Sequence, residues 1–567
     1  MRKIVYISTL LYLAFAACSN TDKTNSAVFR NAVYTGNDAR FDKEIDPQRQ
    51  YFNPILSGFY PDPSICRKGD DFFLVNSSFS YYPGIPIFHS RDLVNWTQIG
   101  FVLNRPSQLK LDGIRLSGGI YAPAIEYNPH NDTFYVITTC VDGIGNFLVK
   151  TDDPFKGEWS EPITLPAVGG IDPSLFFDED GSGYIVNNDA PQGEPEYDGH
   201  RAIWLHRFDP ATDQTFGEAK MIIDGGVDKS QKPIWIEGPH LYKINGKYYL
   251  MCAEGGTSVN HREVIFSANS LDESFILYEN NPILTQKDLP EDRPEIVTST
   301  GHADIIETAD GEWYAVFLGC RPYKGNYYYT GRETFLLPVT WENGFPVILP
   351  QGESVPVVVD KPDLSPAPNF LTGNFVWEDR FGSKKLGYDW LFVRTPIDPW
   401  WRIEDDAMKI DAIQRRIYDI DNPAYIGRRI QHLDFEFSVE MDFVPQSETE
   451  LAGICCFQNE KYNIILGKTM DGDQPVIVLY LADGESVPAR LYSQAIPDEY
   501  AATPVILSIK AENTYLRFDV TYVDGTRMTV AEEIDTAFLT TEKAGGFVGA
   551  TVGMYATSVH PGNNFEK

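Results

Sequence analysis

Between residues 51 and 350 the chain repeats one pattern five times: a small or acidic residue, a short apolar run, a polar turn and a second, aromatic-rich run. The copies start at Pro61-Asp62-Pro63-Ser64, Tyr121-Ala122-Pro123-Ala124, Ile171-Asp172-Pro173-Ser174, Ile236-Glu237-Gly238-Pro239 and Gly301-His302-Ala303-Asp304. With 62, 122, 172, 237 and 302 as anchors, the spacings are 60, 50, 65 and 65 residues. A hairpin-rich unit of that length suits one four-stranded blade, so five copies predict a five-bladed β-propeller. Equivalent positions of successive blades are related by rotation about one axis. Asp62, Asp172, Glu237 and His302 should therefore converge on one cavity, with Ala122 adding no charge.

The remainder of the 567 residues is too long to be part of the same domain. Pro350, Pro356, Pro362, Pro366 and Pro368 mark a linker, and beyond it runs such as Val505–Lys510 and Tyr515–Val520, the latter followed by Asp524-Gly525, alternate as in an antiparallel sandwich. The expected architecture is all-β: a propeller over 49–355, a linker over 356–372 and a jelly-roll or concanavalin-like β-sandwich over 373–567. At the N-terminus, Arg2-Lys3 precedes an apolar run from Ile4 to Ala17. This predicts an export signal over 1–17. Ala16-Ala17-Cys18 resembles a lipobox, with Phe15 where Leu is more usual. The expectation is an exported lipoprotein, periplasmic or outer-membrane, held to the membrane by a lipid on Cys18 through a polar tether over 18–48.

Forty-seven Lys+Arg against 80 Asp+Glu give −33, a charge that repels phosphate backbones and argues against nucleic acid as a partner. Cys66, Cys140, Cys252, Cys320, Cys455 and Cys456 form no CxxC pair and have no zinc-ligand spacing. They read as buried thiols.

Three carboxylates around a narrow axis cannot all ionise easily, because like charges in a partly desolvated site push at least one pKa upward. Such a site supplies both a base and an acid, the pair that glycosidic hydrolysis needs, with the two carboxyls about 6.5–9.5 Å apart when configuration inverts. Phe79, Tyr81, Tyr82 and Tyr121 fall where loops would rim the funnel, and flat rings stack on sugar faces. His302 reads equally as a satisfied core histidine, a hydrogen-bond partner for the carboxylates or a ligand to a central cation. Arg321 reads as a clamp on a substrate hydroxyl, a partner for a cavity carboxylate or a surface charge.

Asn53-Pro54-Ile55-Leu56, Phe59 through Arg67, Pro83-Gly84-Ile85-Pro86-Ile87 and His89 through Trp96 resemble glycoside hydrolase family 43. The later motifs Gly170 through Ser174, Glu237-Gly238-Pro239, Gly301 through Asp304 and Leu318 through Pro322 follow in the family's order, and Asp379-Arg380-Phe381 continues into the accessory sandwich of its β-xylosidase and α-L-arabinofuranosidase branch. The resemblance implies that Asp62 is the general base, Glu237 the general acid and Asp172 the carboxylate that tunes and orients the acid. It implies further that Arg321 contacts substrate, that Phe79 is a pocket-wall aromatic and that His302 is the central histidine, which in some members holds calcium through water. No cofactor is required on this reading, and a structural calcium is optional. Tyr121 stands where many xylosidase members carry Trp, which tilts the expectation towards arabinofuranose.

The expected function is exo-acting, inverting removal of terminal α-L-arabinofuranosyl residues from hemicellulose oligosaccharides such as those of xyloglucan or arabinoxylan, with β-xylosidase side activity. A mainly β-D-xylosidase activity is the nearest alternative. A lipid-anchored, non-catalytic glycan-binding propeller is the alternative of another class, although a binder has little use for three cavity carboxylates. The invertase-like group shares the architecture, but its Asn-Asp-Pro, Arg-Asp-Pro and Glu-Cys motifs are absent.

Overall fold

A computed structural model describes residues 24–365, 370–485 and 487–560. The expected signal over 1–17 and the lipidation site Cys18 lie outside those residues. Five four-stranded antiparallel sheets follow one another, and each is opened by one of the five repeat motifs. The innermost strands are Ser64–Lys68, Gly119–Asn128, Ile171–Phe177, Glu237–Ile244 and Thr298–Glu307. The fourth sheet carries an additional short strand, Leu284–Thr285.

The repeat motif is a backbone device as well as a source of side chains. Asp62, Ala122, Asp172, Gly238 and His302 all have left-handed φ values, between 34° and 54°. The ladder register shifts at the last four of these sites. Four of the innermost strands thus bulge where they meet the axis, and in the first blade the left-handed Asp62 lies just before the strand. In the fourth blade the left-handed residue is Gly238, so Glu237 sits one residue earlier in the motif than the two aspartates. The serines of the Asp-Pro-Ser motifs tie blades together. Ser64 Oγ accepts from Ile125 N of blade two at 3.1 Å and donates to Asp304 of blade five at 2.8 Å, while Ser174 Oγ donates to Pro239 O of blade four at 2.6 Å.

The second domain is a sandwich of two eight-stranded sheets. Two of its strands come from unexpected places, and the domain bounds change accordingly. Ser26–Gly36, expected within the tether, pairs with Ala407–Asp411, Val376–Asp379 and Phe435–Asp442 inside one sheet. Ala27, Phe29, Ala32 and Tyr34 of this strand are fully buried. Their alternation changes phase at a register shift between Arg30 and Val33, where Asn31 is left-handed. Tyr81–Tyr82, expected at the funnel rim, instead pairs with Leu391–Val393 as the edge strand of the other sheet. Within the expected linker, Val358–Asp360 pairs with Gln50–Phe52. All six cysteines from Cys66 onward are free and buried, as expected of small hydrophobes in strands.

Arg321 is the centre of a buried charge cluster that joins three parts of the chain. It donates to both oxygens of Glu333 at 2.5 and 2.8 Å, to Asp38 at 2.5 Å and to Gln431 O at 3.0 Å. Its side chain is fully enclosed and all its donor nitrogens are engaged, so the expectation that it contacts substrate fails. Removing the cation would leave two buried carboxylates facing each other. Arg321→Met is therefore expected to cost about 3–5 kcal/mol in reversible urea unfolding. A loss below about 1 kcal/mol would place this arginine outside the framework.

Candidate active site

The axial end at which the bulges meet opens into a funnel of about 460 Å³, within the range of ligand pockets. Asp62, Tyr121, Asp172, Glu237 and His302 all line it, so the motif anchors do converge. Phe79 is buried one layer behind, its ring 5.5 Å from that of Tyr121 in an edge contact. The Tyr121 hydroxyl donates to Ser117 O at 2.5 Å.

Several lining residues escaped the sequence reading, Arg332 and Phe547 among them. Arg332, eleven positions after Arg321, donates to Asp62 from Nη1 at 2.9 Å and from Nη2 at 3.4 Å. It lies just before the strand Glu333–Glu342, outside any repeat motif. Phe547 belongs to the sandwich and reaches over the propeller face, with its ring 5.8 Å from Tyr121 and the Arg332 guanidinium 5.5 Å from its centre. Gly545-Gly546 delivers it. Gly546 is left-handed, and a Cβ there would fall 2.3 Å from Ser117 Oγ. That glycine pair before an aromatic was the available signal, but it could not be linked to a cavity in another domain.

The carboxyls differ in charge for physical reasons. Burial pushes Asp62 upward, but the Arg332 charge, then nearby His302, and the Ser77 hydroxyl donating at 2.6 Å outweigh it and hold Asp62 below the usual carboxylate range. Asp172 is pushed up to about 7 by burial and by the Asp62 charge, although Gly238 N donates to it at 3.3 Å. Glu237 is raised well above its ordinary value by burial, then by Asp172 and Asp62. Near neutral pH the funnel therefore holds one ionised carboxylate beside a protonated Glu237, with Asp172 near its midpoint.

His302 lies with Nδ1 3.7 Å from Asp62 Oδ1, and burial lowers its pKa to about 4, so it is neutral under ordinary conditions. Among the described residues no three His, Cys, Asp or Glu side chains are grouped to hold a metal ion. These residues do not fit a directly ligated calcium, and no chemical step below passes through one.

A propeller funnel that gathers one carboxyl held low by a buried arginine and another raised by burial is compatible with glycosidic hydrolysis, which uses an unlike pair of carboxyls. Residues 51–346 match the model described as Glycosyl hydrolases family 43, and residues 378–565 match the Beta xylosidase C-terminal Concanavalin A-like domain. A Xylosidase/arabinosidase from Butyrivibrio fibrisolvens is 38% identical over 89% of this chain and 95% of its own. A non-reducing end alpha-L-arabinofuranosidase from Bacteroides ovatus is 36% identical over 90% of this chain and 92% of its own. A solved structure of a GH43_12 protein from capybara gut metagenome superposes with a TM-score of 0.86 at 40% identity, covering 94% of this chain and all of that one. The chain belongs to glycosyl hydrolase family 43 and is an enzyme of its xylosidase/arabinosidase group.

The pairing of Arg332 with Asp62 has a measurable consequence. A base must be ionised to accept a proton, so activity falls as pH drops through its pKa. Arg332→Met removes the charge that holds Asp62 down, and the acid limb of the kcat/KM profile should move up by about 1–3 pH units in whatever activity remains. An unmoved limb would mean that another group sets it.

Proposed function

We propose that the chain is an exo-acting, inverting hydrolase that removes terminal non-reducing α-L-arabinofuranosyl residues from hemicellulose side chains, such as those of xyloglucan or arabinoxylan oligosaccharides, and cleaves β-D-xylosides as a second activity. The observation that carries this reading is the convergence of Asp62, paired with Arg332, and of Asp172 and Glu237 on one narrow funnel. Asp62 takes a proton from water as the water oxygen bonds to the anomeric carbon. The glycosidic C–O bond breaks on the opposite side, and Glu237 gives its proton to the departing oxygen. Asp172, buried beside Glu237, keeps that proton in place until the leaving oxygen needs it.

Phe547 leaning over the propeller face supports entry of one terminal residue rather than passage of an internal chain. Tyr121 is smaller than the indole many xylosidases carry and leaves room for the exocyclic arm of a furanose. The second reading, a β-D-xylosidase first, is favoured by relatives named as beta-xylosidases at 30–32% identity. The anchor at Cys18 is proposed with it, on the signal-like sequence alone, and Cys18→Ala should then shift the protein from the membrane to the soluble fraction.

Asp62→Ala should lose about 10²–10⁴-fold in kcat on every substrate. Glu237→Ala should lose as much on natural oligosaccharides but far less on aryl glycosides, whose leaving groups need little protonation. NMR of the first product should show the inverted anomer. Loss independent of leaving group, or a retained anomer, would remove this division of roles. Tyr121→Trp should raise the xyloside-to-arabinofuranoside ratio of kcat/KM, and an unchanged ratio would favour the xylosidase reading.

A further inference from the structure

The lip of the funnel carries two apolar side chains that the reaction above does not use. Ile234 is 52% exposed and Trp235 36%, in a strongly acidic chain, and both line the funnel. Trp235 has φ of 48°, a left-handed conformation that a bulky residue keeps only when its surroundings hold it there. The restraints are visible. Trp235 N donates to Gly199 O at 3.0 Å, and Ile234 O accepts from Gly255 N at 2.9 Å and from Gly256 N at 3.2 Å. Ile236 O accepts from Asn188 Nδ2 at 2.5 Å.

The same Asn188 fixes what lies behind the indole. Its Oδ1 accepts from Arg201 Nε at 2.9 Å, and the Arg201 guanidinium sits 4.7 Å from the Trp235 ring centre. The cation covers one face of the ring and sets its orientation. An exposed aromatic held in a strained backbone by three separate restraints, and backed by a cation, is a prepared surface rather than a stray hydrophobe.

Its place along the chain indicates which part of a substrate it meets. Trp235 stands two residues before Glu237, the group proposed to deliver a proton to the leaving oxygen, and both line the funnel, which points it towards the leaving-group side of the scissile bond. We propose that Trp235, flanked by Ile234, is the stacking platform for the pyranose ring next to the scissile bond on the leaving-group side, the first backbone sugar to which the cleaved residue is attached. The C–H face of a pyranose packs on an indole as apolar surface, while its hydroxyls stay at the edge in water. The proposal rests on the catalytic reading above and extends it: the funnel recognises the cleaved residue, and the lip recognises what is left behind.

The test compares two substrates that need the acid equally but differ in having a ring on the leaving side: an arabinofuranosylated xylo-oligosaccharide and methyl α-L-arabinofuranoside. Trp235→Ala should lower kcat/KM about 10–100-fold on the oligosaccharide. On the methyl glycoside it should stay within about threefold of the unaltered enzyme. Trp235→Tyr should restore most of the oligosaccharide activity. Equal losses on both substrates would mean that the substitution disturbs Glu237 or the fold, and no loss on the oligosaccharide would mean that the lip binds nothing. Either result overturns the platform. Should the unaltered enzyme act on xylosides alone, xylobiose and methyl β-D-xyloside form the same pair, so failure of the sugar assignment and failure of the platform remain separate results.

Discussion

The ion pair between Asp62 of the first blade and Arg332 at the start of a strand of the last blade is the contact on which the site depends. It joins the last blade to the first and holds the Asp62 carboxyl low at the same time. Around it a consecutive run stitches the last blade to the chain entering the first. Glu333 accepts from Gly58 N at 2.7 Å, Thr334 bridges to Leu56, and Leu336 exchanges hydrogen bonds with Asn53 at 2.8 and 3.0 Å. A carboxylate in so enclosed a place would ordinarily take up a proton. It stays ionised in that enclosure because Arg332 reaches it from the last blade, so the joint between the blades is part of the chemistry and not merely its support.

The single-residue offset of Glu237 shows how one repeat can serve two chemical roles. In blades one and three the left-handed residue is itself the carboxylate, whereas in blade four that place is taken by Gly238. A side chain there would be obstructed, since a Cβ on Gly238 would lie 2.9 Å from the His302 ring. The carboxyl is carried instead by the preceding position, on a longer side chain, away from Arg332's two hydrogen bonds to Asp62. Arg332 hydrogen-bonds to Asp62 and acts on Glu237 only through space, where burial outweighs it.

The blades and their anchors were legible in the sequence because they repeat, and repetition needs only local pattern and spacing. What could not be read depends on distant partners. Arg321 and Arg332 stand at either end of the connection between two adjacent strands, and the sequence marks neither as the one facing the axis. Only the enclosure of Arg321 by Asp38 and Glu333 decides between them. Phe547 and Tyr81 needed knowledge of how the domains face each other. The strand Ser26–Gly36 was hidden by its own irregularity: the bulge after Arg30 breaks the alternation that would have announced it, and its partner Phe435–Asp442 lies some four hundred residues away.

That last pairing has a consequence for how the molecule is made. The strand Ser26–Gly36 sits in the interior of a sheet whose other members are synthesised only after the whole propeller. The whole propeller is looped out between two pieces of one sandwich. Closing so long a loop is slow, and until it closes an apolar strand stands with both edges unpaired. The propeller, whose contacts are mostly between sequential blades, can assemble during that wait. The sandwich is then completed last, around its own N-terminal strand, and so is the mouth of the funnel that Phe547 overhangs.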